Sequence, residues 1–180
     1  MSLRTEIHKL DGKQFVVLAE IGLVFVSIQT VETLLKGILT HVFPANNAAY
    51  GKLLGQKRKG RKETLGYFLK ELRKRTDIDP DFDNLLSEFL SMRNDFVHNL
   101  PKFKEVGFRT DNELLALSIF LNKLHSHSEQ IKKVLFGLSR KWQLQNNIKI
   151  DSWDNSRSIS EIDKNYIPLA NKIFLKKKKD

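Results

Sequence analysis

"LLSEFLSMRNDFVHNLP", residues 85–101, sets a cation among apolar side chains. At about 100° per residue, Leu86, Phe89, Leu90, Phe96, Val97 and Leu100 share one face of a helix, and Arg93 falls at its centre. The spacing predicts a helix from about Asp83 to Asn99. Pro101 ends it, because the residue before a proline is pushed out of helical geometry. A fully buried arginine is rare without a partner, since desolvating its charge is costly. Arg93 is therefore either a structural ion pair, held by Glu20 or Glu32 of the first helix, or a functional group that meets an anion. Asn94 and His98 lie four apart on one flank, where the amide is placed to orient the imidazole. Arg93 and His98 stand about 140° apart on a straight helix. Either the last turn is distorted, or the arginine of one chain meets the histidine of a second copy across a two-fold axis. The second is expected, with the apolar stripe as the self-complementary surface.

Outward from this helix the pattern stays helical. The run from about Phe15 to Leu39 is apolar nearly all round and should occupy the centre of a bundle. Its most hydrophobic part, 15–28, is short for a membrane span and carries Glu20. The residues ahead of it hold Glu6 and Asp11 and do not resemble a signal peptide. Thr64 is placed to cap a second helix, whose Leu65, Phe68, Leu69 and Leu72 follow the amphipathic rule. A last long helix from about Asn112 to Leu138 keeps a near-heptad seam of Leu114, Leu117, Leu121, Leu124, Ile131, Leu135 and Leu138, with Ser128 its polar break. Beyond Trp142 the pattern dissolves, though "YIPLANKIFL" (166–175) is apolar enough to dock back. The expectation is one all-α domain over 1–180. It has a four-to-five-helix core at 15–140 and an irregular extension with a basic tail at 141–180.

The 180 residues suffice for one sizeable core. The chain has no cysteine, which excludes disulfides, thiolate metal sites and cysteine nucleophiles and fits a cytoplasmic location. The net charge is +10, and residues 52–75 alone hold ten positives against two negatives. Such a cluster suits a polyanion. Lys57, Arg58, Lys59, Arg61 and Lys62 are the candidate nucleic-acid contacts. No metal site is expected: "DIDPDFDNLLSE" has Phe82 where a calcium loop needs glycine, and helix capping accounts better for its acids.

"RNDFVH" (93–98) resembles the arginine–polar–histidine signature of the HEPN superfamily of small helical proteins. Arg93, Asn94 and His98 match its arginine, its polar second position and its histidine. The order of helices over roughly 15–140 is similar too. The resemblance implies a metal-independent endoribonuclease, commonly a toxin or antiviral defence effector, that acts as a dimer with a shared cleft. It implies no cofactor and no membrane, with RNA as substrate and an antitoxin or RNA antagonist as the restraint. Some toxin members are silenced through a tyrosine two residues after the histidine; Leu100 stands there. The other functional class is a non-catalytic module of the same fold that dimerises and binds RNA or protein.

Overall fold

Asp11 opens the first helix through a reciprocal cap: its Oδ1 accepts from the Gln14 backbone at 2.8 Å, and Gln14 Oε1 accepts from the Asp11 backbone at 3.0 Å. The computed structural model describes residues 11–44, 64–99, 108–148 and 156–175. Among the described residues the fold is all-α apart from one pair of two-residue strands. Helix α1 spans Gly12–His41, α2 Leu65–Arg75, strand β1 Asp77–Ile78 and α3 Pro80–Asn94. A π-helical turn, Asp95–Asn99, continues α3. Then come α4 (Asp111–Gln145), α5 (Ser156–Glu161), a second π-helical turn (Ile162–Tyr166), α6 (Ile167–Ile173) and β2 (Phe174–Leu175).

Two compact units make up the chain, Met1–Gln29 with Glu88–Glu129 and Thr30–Ser87 with Gln130–Asp180. In the first unit α1 and α4 run parallel, which three rungs show. Lys13 pairs with Asp111, Ser118 Oγ donates to Glu20 Oε1 at 3.1 Å, and Ser27 Oγ lies 3.3 Å from His125 Nδ1. Each rung is seven residues beyond the last on both helices. Buried Val17, Val24 and Ile28 of α1 and Leu114, Leu117, Leu121 and Leu124 of α4 follow the a/d spacing of a coiled coil, and the rungs are its g–e′ pairs. Thr110 and Glu113 cap α4 as Asp11 and Gln14 cap α1. From α3, Glu88 reaches His127 Nε2 at 3.2 Å.

The expected central burial of α1 fails in this unit. Its seam is buried, but Phe15, Val16, Leu23, Phe25 and Val26 are each more than half exposed. Among the described residues α4 covers one face of the helix, and the apolar side chains on the other are the exposed ones. The helix is long and apolar enough to cross a membrane by length and composition.

In the second unit Thr64 caps α2 as expected, and Leu65, Phe68, Leu69 and Leu72 are all buried. Asp79 caps α3, its Oδ1 accepting from the backbones of Asp81 and Phe82, which is the role expected for this acidic run. Strands β1 and β2 are antiparallel, with Asp77 opposite Leu175 and Ile78 opposite Phe174. The Phe174 ring meets Phe43 and Phe82, each at 5.9 Å between centroids.

Helix α4 runs seven residues past the expected end at Leu138. It stops at a left-handed Asn147 (φ 54°), with Ile148 donating back to Gln143 and Asn147 to Leu144. The expected irregular extension is helical over 156–173, with Ala170 and Ile173 buried. The sequence hides it because its helices are short, are joined by a π turn, and bury few side chains.

Arg75 ties α2 to the end of α1. Its Nη1 donates to the carbonyls of Leu39 and Phe43, at 2.9 and 2.8 Å, and its Nη2 to Glu71 at 3.1 Å. Those carbonyls are ones that a helix terminus leaves unsatisfied. Lys74 first, and Arg75 with it, hold the Glu71 carboxyl below its ordinary range against the opposing effect of burial. A group with a lowered folded pKa stabilises above its unfolded pKa of about 4.3, and that contribution is lost as pH falls through the folded value. Arg75→Ala is expected to cost about 1.5–3 kcal/mol in denaturant melts at neutral pH. Glu71→Gln should remove part of the stability difference between pH 7 and pH 3.

Candidate functional site

The apolar face of α3 is not the free stripe that the sequence suggests. Leu86 and Phe89 are fully buried within the protomer, so they cannot serve as a surface for a second copy. Hydrophobic residues at that spacing are taken up first by the chain's own core. The face opens only toward the end of the helix, where Arg93 is half-buried, Val97 is 44% exposed and His98 is exposed.

Of the two ways to bring Arg93 and His98 together, the structure contains the distortion. Residues Asp95–Asn99 leave α-helical geometry for a π turn. An α-helix bonds residues four apart; a π turn bonds residues five apart, so groups at that spacing move toward one side. Arg93 and His98 are five apart: Arg93 lies in α3 just ahead of the turn, and His98 lies within it. Such turns are rare, and they occur often at functional sites. Asn99 Nδ2 braces this one by donating to Asp95 Oδ1 at 3.0 Å.

Asn94 does something other than expected. Its Oδ1 accepts from Arg93 Nη1 at 3.4 Å, a long bond, and the imidazole of His98 receives no hydrogen bond among the described residues. The amide expected to orient His98 turns to the guanidinium instead. Glu20, one of the two carboxylates that could have held Arg93, accepts from Ser118; its other oxygen is buried with no hydrogen-bond partner among the described residues. Sequence spacing also did not single out the His127–Glu88 pair, which links α4 to α3 five residues before Arg93. Its only signal was a charged residue and a histidine on two predicted helices.

The basic contacts Lys57, Arg58, Lys59, Arg61 and Lys62 lie outside the described residues, as does Leu100. Trp142 stacks against His41 at 5.4 Å and Tyr166 donates to Glu161 at 2.9 Å, so both aromatic side chains are engaged inside their unit. Among the described residues no cluster of His, Asp and Glu is placed to hold a metal ion.

No family model, curated protein or solved structure matches this chain.

Proposed function

We propose that the chain is a metal-independent endoribonuclease with the site arrangement of HEPN-type proteins, acting as a toxin or antiviral effector in a homodimer. What supports the proposal is the π turn that contains the exposed His98 and directly follows the helix end with the half-buried Arg93, a geometry that draws groups five residues apart toward one side of the helix.

RNA brings its own nucleophile, the 2′-OH, so the protein need only move protons and stabilise charge. His98 takes the 2′-OH proton as that oxygen attacks phosphorus. The bond from phosphorus to the 5′ oxygen breaks, and the leaving oxygen takes a proton from His98 of the second chain. Arg93 offers its planar fork to the phosphate as charge builds there. Asn94 is a positioning residue that holds one arm of the fork. The products are a 2′,3′-cyclic phosphate and a 5′-OH, and the basic segment 57–62 supplies sequence-independent attraction to the backbone.

Incubation of the purified protein with end-labelled RNA in EDTA tests this. Cleavage is expected to persist in the chelator and to yield cyclic-phosphate ends. A substrate with a single 2′-deoxynucleotide should resist cutting at that position. Binding of RNA with no cutting under any of these conditions would move the assignment to a non-catalytic binding module.

A further inference from the structure

The first unit carries an apolar surface that its own coiled-coil pair does not cover. On α1 the outward b, c, e and f positions hold Phe15, Val16, Leu18, Ala19, Gly22, Leu23, Phe25 and Val26. In a soluble two-helix pair, charged and polar residues fill such positions. Here Phe15, Val16, Leu23, Phe25 and Val26, with Leu115 and Ile119 on α4, are each between 53% and 62% exposed. Val16 and Leu23 on α1 and Leu115 on α4 flank the same row of polar rungs. From Gln29 onward the exposed positions turn polar: Gln29, Thr33 and Lys36. The apolar surface is thus confined to the first five turns of α1 and the first turns of α4.

We propose that this face is where a second copy of the chain docks. Two observations select that occupant. The first is area. Half-exposed side chains of this size present roughly 700 Å² in sum, near the 800 Å² or so that each partner contributes to a standard interface. The second is charge. A chain of net +10 repels its own copies, but the charge is not evenly shared. Residues 1–29 and 88–129 hold eight Lys or Arg against nine Asp or Glu, whereas 30–87 and 130–180 hold 23 against 12. Two copies that meet through the first unit bring together nearly neutral surfaces and keep the strongly basic unit for a polyanion. The same near-neutrality argues against an anionic bilayer, which basic surfaces attract.

The pairing of two chains belongs to the nuclease proposal. Its placement on α1 rests on exposure and charge alone, and the readout is oligomeric state, independent of activity. Gly22 stands near the middle of the face, and a Cβ there meets nothing within 4 Å. Gly22→Glu therefore puts a carboxylate on the face without disturbing the protomer, and glycine is itself the poorer helix former. Gly37 also has open space around its Cβ but lies on the polar part of α1, so Gly37→Glu is the matched control. In sedimentation velocity at tens of micromolar, the wild type and Gly37→Glu are expected to run as dimers and Gly22→Glu as a monomer of unchanged helicity. Ile119→Glu should weaken the dimer too. A monomeric wild type overturns the proposal, as does a dimer that survives Gly22→Glu. Flotation of a monomeric wild type with phosphatidylcholine–phosphatidylserine vesicles would overturn it in favour of a bilayer.

Discussion

His98→Ala is expected to slow RNA cleavage by about 10²–10⁴-fold, the usual worth of a positioned general acid or base, while thermal unfolding stays within about a degree of wild type. Both halves follow from the same observation. The imidazole is exposed and accepts or donates no hydrogen bond among the described residues, so its removal takes little from the fold. Arg93→Ala should lose a comparable factor, about 10²–10³-fold, because an electrostatic donor to developing charge is worth about 2.7–4 kcal/mol. Arg93→Lys should recover only a small part of this, since an ammonium keeps the charge but not the bidentate fork. Asn94→Ala should act more weakly and only through Arg93, as expected of a residue that steadies one arm of the guanidinium. The decisive pattern is the contrast between activity and stability. Single-turnover cleavage and thermal melts on the same preparations supply both. If Arg93→Ala unfolds the chain while His98→Ala cuts at the wild-type rate, Arg93 is a structural cation and the proposed chemistry is wrong.

The long helices were legible in the sequence because each is governed by a burial pattern with a fixed period. The α4 seam appears in the order read from the leucines, and Ser128 sits within it fully buried, its Oγ donating to the Leu124 carbonyl at 2.8 Å. Caps were legible for the same local reason: Thr64 and Asp79 need only their own next turn. Three things were not legible. The π turn at Asp95–Asn99 depends on backbone geometry that no side-chain period announces. The uncovered face of α1 depends on how many neighbours pack around the helix, and an all-round apolar helix reads alike whether it is enclosed or half-open. The helical segment at 156–173 is fixed from outside itself, by Gly137 and by the pairing of β2 with β1. Of the candidate site, the residue types were readable, but their partners were not. Asn94 was assigned to His98 by spacing, and its amide oxygen accepts from Arg93 instead.

Gly137→Ala shows how much a single missing methyl group can decide. In an exposed helix the change would stabilise by about 0.5–1 kcal/mol, because alanine is the better helix former; Gly22→Ala, where a Cβ meets nothing, should behave that way unless the dimer feels the added methyl. At Gly137 the sign is expected to reverse. A Cβ built there would lie 2.1 Å from the Tyr166 carbonyl oxygen and 2.4 Å from its carbon. Both are backbone atoms, so no rotamer change relieves the contact. Either α4 or the turn leading into α6 must shift by more than an ångström. The segment that yields is the shorter one, held by Ala170, Ile173, the Arg140–Asp163 ion pair and two strand residues. Overpacking of this kind costs about 1–3 kcal/mol, which outweighs the gain in propensity. For a chain of this length, a loss of 2 kcal/mol lowers Tm by about 4–8 °C. Hydrogen exchange should place the damage, with protection lost at Ile167–Phe174 and retained in the α1–α4 pair of the first unit. Gly137→Leu should release the segment altogether and expose the Phe174 ring's partners, Phe43 and Phe82, to solvent. A Gly137→Ala protein as stable as wild type, with Ile167–Phe174 still protected, would mean that α6 does not hold α4 this closely.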